Sequence, residues 1–259
     1  MAPFNTHFLI AEKLWPELEG PWQPYYGQFC FGCVAPDVDK SSKTLTQKET
    51  HFFDRSGDPE RMATHRTATF LARQSQFLKQ PFSGLPPPGQ AFVLGYLCHL
   101  CVDEVTKYMW GMQTWAPFKA VGVSAIGAFA ALDEVTRTYF KDYQAITDAV
   151  CAIAAVDVIA PISLADLQHM LAGVCKFVRA ETTEGELAAL AEMMLDVPPE
   201  EIPQRIAPFV EELPRARPLV HHFKQGAAIN ACLGHSRSRI SDLLAGRIPK
   251  PGVPAPDKT

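Results

Sequence analysis

The stretch GYLCHLCVDE, residues 95–104, places a histidine and two acids in a run that otherwise has the composition of a buried helix. His99 and Asp103 are four residues apart, so on a helix their side chains lie on one face, about one turn apart. Buried carboxylates are costly unless they are hydrogen-bonded, paired or bound to a metal. The stretch therefore predicts a core helix that carries a polar site. A histidine bonded to a neighbouring acid is the simpler alternative to a pair of metal ligands.

The sequence on both sides of this stretch is dominated by residues that favour helix, and it contains neither alternation of period two nor an internal repeat. Thr6 is a plausible N-cap for a first helix, and a long polar loop is predicted over 38–59. Helices are predicted over about 59–80, 90–111, 117–142, 144–158, 163–181, 184–196, 199–212 and 216–245. The sequence thus predicts one all-α domain, a multi-helix bundle over residues 1–245, followed by a Pro-rich tail over 246–259 that is expected to be disordered.

Composition limits the classes of protein to which the chain can belong. Its 259 residues are 47% hydrophobic, which is enough for one full core, and its net charge of −4 gives no basic footprint for nucleic acid.

The amino terminus lacks the basic region of a signal peptide. The longest apolar run, 91–102, is well short of the roughly 20 residues that a transmembrane helix needs. We expect a soluble cytoplasmic protein, for which peripheral membrane contact stays open.

Seven cysteines fit a reducing compartment, where a free thiol behaves as a small hydrophobic group. Two pairs have CxxC spacing, Cys30 with Cys33 and Cys98 with Cys101, which raises the alternatives of a four-thiolate zinc site and of a thiol-based redox protein. Cys98 and Cys101 lie inside an apolar helical pattern rather than on a turn. Core packing is therefore the favoured role of these cysteines.

Three further polar residues have apolar neighbours. VAPDVDK, residues 34–40, places Asp37 just after a proline. His51 precedes two phenylalanines in the second half of the polar loop, and His7 lies on the predicted first helix. Imidazole and carboxylate groups suit Zn²⁺ and related metals. Two ligands on one helix, joined by others from separate segments, would build a zinc site.

The order H…PD…H…HxxxD resembles the zinc-dependent phospholipase C family, whose all-α fold is shared with fungal single-strand nucleases. The matching stretches are THFLIAEKL, FGCVAPDVDK, THFFD and LGYLCHLCVDE, all within residues 6–104. The resemblance implies a helical bundle of the phospholipase C and nuclease type. It also implies that Asp37, His51, His99 and Asp103 surround one zinc ion. His7 would hold a second ion, and Asp103 would bridge the two ions. The mature amino terminus would be a further ligand of the second ion. In this chain that ligand would be the amine of Ala2, exposed by removal of Met1.

The resemblance further implies a metal-dependent phosphoesterase that hydrolyses a phosphodiester with metal-activated water. Two ions about 3.5–4 Å apart would clamp the phosphoryl oxygens, and Asp37 would be the catalytic base. The substrate would be a phospholipid, a nucleotide or a smaller diester. Family members carry a further zinc site of the form H…HxxxE, but no histidine occurs here between Asp103 and His169. The alternative is therefore a non-catalytic, metal-stabilised helical protein that binds a lipid or protein partner.

Other polar residues have predicted roles outside the five-residue ligand set. His65 is a further candidate for the site because it closely follows the polar loop that contains His51, and Glu104 is a candidate supporting partner. Surface roles are favoured for the remaining histidines, His169, His221, His222 and His235, and His235 in particular is expected to be exposed.

Overall fold

Helices make up nearly all regular structure in the computed structural model, which describes residues 2–52, 66–195 and 197–249. The α-helices in these residues are α1 (Phe4–Leu14), α2 (Tyr26–Gly32), α3 (Gln47–His51), α4 (Arg66–Phe77), α5 (Pro87–Met109), α6 (Met112–Ala120), α7 (Ala125–Arg137), α8 (Tyr143–Cys151), α9 (Leu164–Arg179), α10 (Thr183–Met194), α11 (Ile202–Ala216) and α12 (Gln225–Leu244). Short 3₁₀ helices span Trp15–Glu17, Ala35–Lys40, Phe82–Gly84, Pro199–Glu201 and Arg217–Phe223. The described residues contain no strand apart from an isolated bridge between Leu78 and Ile159. The predicted all-α class is confirmed.

Helix α5 is the centre of the fold. Every residue from Gly89 to Thr106 is buried, as expected for a helix that is apolar on all sides. Such a helix is stable only when other elements cover it, and α1, α2, α4 and α12 pack around it. The predicted core helix is thereby confirmed, and its polar residues face other protein groups instead of water.

Helices α2 and α5 touch through their backbones at a pair of glycines. A Cβ atom on Gly32 would lie 2.2 Å from the carbonyl oxygen of Phe92, and one on Gly95 would lie 2.1 Å from that of Phe29. Any side chain at either position would force the helices apart, so only glycine fits this crossing. The close approach brings the end of α2, and the Ala35–Lys40 turn after it, against the middle of α5.

The predicted helix over 117–142 is two helices, α6 and α7. Ser124 begins the second by accepting a hydrogen bond from the backbone N–H of Gly127 at 3.1 Å, which is an ordinary N-cap. Among the described residues, no individual helix has the length and hydropathy of a membrane span; α6 and α7 meet that criterion only when taken together, and they are bent by 104° at their break.

Several other predicted boundaries are wrong. Helix α1 is capped by Pro3, so Thr6 is a buried helical residue and not the N-cap. The predicted polar loop contains α3, which begins with a capping box formed by Thr46 and Glu49. The helix predicted over 216–245 is interrupted by Lys224, whose φ of 47° is left-handed, and the one predicted over 144–158 ends at Cys151. Residues 53–65 and 250–259 lie outside the described residues, so the disordered tail remains a prediction.

Candidate metal centre

Five buried polar residues meet beside the middle of α5. They are the five predicted metal ligands His7, Asp37, His51, His99 and Asp103, together called the zinc cluster below, and each is at most 1% exposed. They come from four elements that are distant in sequence: α1, the Ala35–Lys40 turn, α3 and α5. The fold thus brings all five predicted site residues into one cluster.

One half of the cluster has the spacing of ligands around a tetrahedral ion. His51 Nε2 lies 3.2 Å from both His99 Nε2 and Asp37 Oδ1. Asp103 Oδ2 lies 3.6 Å from His51 Nε2 and 3.8 Å from His99 Nε2, and the distance from His99 Nε2 to Asp37 Oδ1 is 3.9 Å. Zinc bonds of about 2.0–2.1 Å in a tetrahedron imply ligand separations of about 3.3 Å. The observed separations, from 3.2 to 3.9 Å, lie close to that value.

The other half of the cluster is formed by His7 and the second oxygen of Asp103. His7 Nε2 lies 3.8 Å from Asp103 Oδ1, which also accepts a hydrogen bond from the backbone nitrogen of Ala2 at 2.9 Å. The His7 ring stacks on that of His99, with 4.1 Å between centroids. Neither ring nitrogen of His7 has a hydrogen-bond partner in the described residues. Such a buried, unsatisfied imidazole is costly in a core but is a suitable donor for a cation.

Hydrogen bonds on the outer nitrogens orient two of the imidazoles. His99 Nδ1 donates to the carbonyl oxygen of Cys33 at 2.8 Å, because a carbonyl can only accept. His51 Nδ1 lies 2.9 Å from the hydroxyl of Thr50. In both rings Nε2 is left pointing into the cluster. Metal-binding histidines commonly have this arrangement, in which the far nitrogen is held by a backbone or hydroxyl group.

The protonation states in the cluster are those that a metal requires. Burial lowers the pKa of His7 and of His51, and it lowers the pKa of His99 to about 4. Burial acts to raise the pKa of Asp37 and of Asp103, but neighbouring positive charges outweigh it and hold both below their usual range. At neutral pH the cluster therefore offers neutral imidazoles and ionised carboxylates, the forms in which these groups bind zinc.

Comparison with known proteins agrees with this donor set. Residues 6–106 match the family model of zinc dependent phospholipase C. The matched stretch includes all five residues of the cluster, so the resemblance inferred from the order of the motifs is confirmed. Two groups, His7 with His99 and Asp103, and Asp37 with His51 and His99, can hold metal ions, which fits one or two zinc ions. No curated protein and no solved structure gives a significant match to the chain.

Two cationic side chains lie against the carboxylates of the zinc cluster, and neither was predicted from the sequence. Arg66, at the start of α4, contacts Asp103 Oδ2, and Lys40 contacts Asp37 Oδ1. Lys40 could have been found from its spacing, three residues after Asp37 in VAPDVDK. Arg66 approaches from 37 residues away in sequence, and no local pattern indicates its partner.

Glu104, the residue after Asp103 on α5, contacts the start of the same helix α4 that carries Arg66. It accepts hydrogen bonds from the backbone N–H of Thr67 at 2.9 Å and from its hydroxyl at 2.8 Å. His235 Nε2 lies 2.7 Å from the same carboxylate. His235 is 1% exposed, so its predicted exposure is wrong. Because Thr67 follows Arg66, these contacts hold the start of α4 in place.

The other histidines do not join the zinc cluster. His169 and His221 are exposed and His222 is half-buried. None of the three belongs to a potential ligand group in the part of the chain that the structure describes. His65, the further candidate, lies outside the described residues.

The four CxxC cysteines are core residues. Cys30, Cys33, Cys98 and Cys101 are all fully buried, and no potential ligand group in the described ranges contains a cysteine. Burial raises the pKa of Cys30, Cys33 and Cys101, so these thiols stay protonated and are poor zinc ligands. The packing role is the one that the structure supports.

Cys30→Ala and Cys98→Ala variants should therefore bind as much zinc as the native protein. Each should lose only about 1 kcal/mol of stability, because a single buried atom of moderate size is removed. Elemental analysis and thermal melting measure the two quantities. Loss of zinc in either variant would restore the thiolate hypothesis.

Proposed function

We propose that the protein is a zinc-dependent phosphoesterase that hydrolyses a phosphodiester, in the manner of a phospholipase C. The observation that carries this proposal is the orientation of the Asp103 carboxylate. Its Oδ1 faces His7, and its Oδ2 faces His51 and His99. A carboxylate with one oxygen toward each of two donor groups is suited to bridge a pair of ions, the arrangement used for phosphoryl transfer. The match to the zinc dependent phospholipase C family supports the same reaction.

Bound zinc would supply Lewis acidity and would lower the pKa of a coordinated water molecule to about 7. The residues of the chain have complementary tasks. His51 and His99 are oriented by Thr50 and Cys33, so little reorganisation accompanies binding. Asp37 Oδ2 is buried and has no hydrogen-bond partner in the described residues. We assign to this oxygen the role of accepting a proton from water.

Arg66 and Lys40 supply positive charge on the two sides of the cluster. A phosphodiester that reaches the donor groups would meet the guanidinium beside Asp103 and the ammonium beside Asp37. Both groups form strong hydrogen bonds to phosphate oxygens. Their charge offsets the negative charge that develops on the phosphoryl oxygens in the transition state. We propose that they partly replace the electrophile of the further zinc site of the family.

Hydrolysis of bis(p-nitrophenyl) phosphate should require added zinc and should fall by at least about 100-fold in Asp37→Asn, since both a ligand and the proposed base are lost. The measurement is the release of p-nitrophenolate. Asp157→Asn is the matched control, because Asp157 is an exposed aspartate paired with Lys79 and should retain native turnover. Zinc-independent turnover, or native turnover in Asp37→Asn, would contradict the proposal.

A non-catalytic, zinc-stabilised protein that binds a lipid or protein partner is the second candidate. One observation favours it: His169, His221 and His222 lie outside the cluster, so the described residues after Asp103 contribute no histidine to a further zinc site. This alternative predicts stoichiometric zinc without turnover of any phosphodiester, including p-nitrophenyl phosphocholine. The same assay therefore separates the two candidates.

A further inference from the structure

Two of the seven cysteines differ from the rest in their exposure. Cys151 and Cys175 are half-buried, whereas the other five are fully buried: Cys30, Cys33, Cys98, Cys101 and Cys232. An oxidant dissolved in the solvent can therefore reach this pair without any opening of the core. Neither thiol belongs to a potential metal-ligand group in the described residues, so zinc binding does not account for the pair.

Cys151 and Cys175 lie side by side, although 24 residues separate them in sequence. Cys151 Sγ is 3.9 Å from the carbonyl oxygen of Cys175, and Cys175 Sγ is 3.9 Å from the carbonyl oxygen of Val150. The two thiols are also hydrogen-bond partners of each other. A disulfide needs such proximity, because cysteines whose Cα atoms are more than about 7 Å apart cannot be joined without movement of the backbone.

Cys151 also lines a polar cavity of about 400 Å³ between α7, α8 and α9. Cys175 does not line it, so Cys151 is the thiol that a solute in the cavity meets first. The charged residues of the wall are two arginines and two acids: Arg137, Arg179, Asp148 and Glu181. Their formal charges cancel, so the cavity favours neither anions nor cations. A small uncharged oxidant is the reactant that suits such a cavity.

We propose that Cys151 and Cys175 form a redox-sensitive pair, which hydrogen peroxide converts to a disulfide. The Cys151 sulfur attacks one oxygen of the peroxide and the O–O bond breaks. Cys151 becomes a sulfenic acid, and the departing hydroxide takes up the proton of the Cys151 thiol to form water. The Cys175 sulfur then attacks the Cys151 sulfur, the S–O bond breaks, and the second thiol proton leaves with the hydroxyl group as water. The two thiols lose two electrons and two protons, and one peroxide is reduced to two water molecules.

The order of the two steps follows from the surroundings of the thiols. Burial and the contact with Cys151 raise the pKa of Cys175 to about 12, although the positive charge of Arg179 acts in the opposite direction. Cys175 is therefore protonated at neutral pH and is a poor first nucleophile. Once Cys151 is a sulfenic acid, its electrophilic sulfur is next to Cys175, and the second step needs no encounter with another solute.

The disulfide closes the segment that joins α8 to α9. Residues 152–163 of this segment contain no helix, and a cross-link across them reduces the freedom of the unfolded chain. Helix α8 packs on α2, where a Cβ atom on Gly27 would lie 2.2 Å from the carbonyl oxygen of Ala149. Helix α9 contacts the Ala35–Lys40 turn, which carries Asp37. Oxidation therefore stabilises two helices on which elements of the metal centre are packed.

The test treats the reduced, zinc-loaded full chain with an excess of hydrogen peroxide. The number of free thiols, counted after denaturation, should fall from seven to five. Peptide mass mapping should find one cross-link, between Cys151 and Cys175. The melting temperature should rise by about 10 °C, the shift expected for closure of a loop of this length in a chain of this size. A dithiol reductant should restore the original melting temperature.

Two serine variants and one control separate the roles of the thiols. Cys175→Ser should accumulate a sulfenic acid at Cys151 that dimedone traps, whereas Cys151→Ser should give no trapped product and no rise in melting temperature. Cys232→Ala, a change at a fully buried cysteine, should still form the cross-link. Retention of all seven thiols in the native protein, or a cross-link between other cysteines, would overturn the proposal. Mapping of the native protein gives this answer even where a variant does not fold.

Discussion

Removal of zinc with a chelator should lower the melting temperature of the protein by roughly 10 °C. A ligand that binds only the folded state stabilises it by about 4 kcal/mol at a thousandfold excess over its dissociation constant. For a chain of this size, each kcal/mol shifts the melting temperature by about 2–4 °C. Because His99 belongs to both potential ligand groups, a His99→Ala variant should show almost no shift on chelation. Differential scanning calorimetry with and without chelator measures both values.

The metal-free protein should nevertheless fold. Its two buried carboxylates retain Arg66 and Lys40 as neighbours, so neither is left as an isolated buried charge. His169→Ala is the matched control, since His169 is exposed and should leave the response to chelator unchanged. An equal response in native protein and in His99→Ala would show that the zinc is bound elsewhere.

Substitution of Asp103 should weaken both zinc ions, whereas substitution of His7 should remove only one. We expect two ions per chain, of which the ion held by Asp37, His51, His99 and Asp103 survives gentle dialysis. The second ion has fewer protein ligands, His7 and Asp103 Oδ1 beside the Ala2 nitrogen, and zinc is held tightly only with about four ligands. Elemental analysis before and after dialysis should therefore give two ions and then one for the native protein, and one throughout for His7→Ala.

Asp103→Asn is the preferred variant at the bridging position. It keeps the size of the side chain next to the buried Arg66 but removes the charge that a bridge between two cations needs. It should retain less than one ion after dialysis, while His222→Ala, a half-buried histidine outside the cluster, should retain the native content. Three ions that survive dialysis of the native protein would reveal further ligands, and His65, His221 and His222 would be the first to test.

The central helix and the five-residue cluster could be predicted because their signals are local. Asp37, His51 and His99 each lie among apolar neighbours, and a polar residue in such surroundings needs a partner wherever the chain folds. The order of the motifs then supplied the partners through the resemblance to the zinc-dependent phospholipase C family. The match over residues 6–106 agrees with it.

The features that were not predicted depend on contacts between distant residues. His235 lies in the polar sequence HSRSR, which suggests a solvated face. The residue is nevertheless buried, and it contacts Glu104, which is 131 residues away in sequence. The contact of Arg66 with Asp103 is likewise tertiary. The break at Lys224 requires a left-handed backbone that the sequence does not indicate, because lysine has no preference for it.

The backbone contact between Gly32 and Gly95 fixes the distance between α2 and α5, and with it the position of His99 relative to the other metal ligands. Cys33, directly after Gly32, orients the ring of His99, which lies one helical turn after Gly95. Zinc sites tolerate errors of only about 0.2 Å in ligand distance. Side-chain packing between helices adjusts by changing rotamers, but main-chain atoms in direct contact have no rotamers to change. The distance between the two helices therefore stays constant when side chains elsewhere in the core repack. Substitutions at such positions can be accommodated without displacing His99 from its partners.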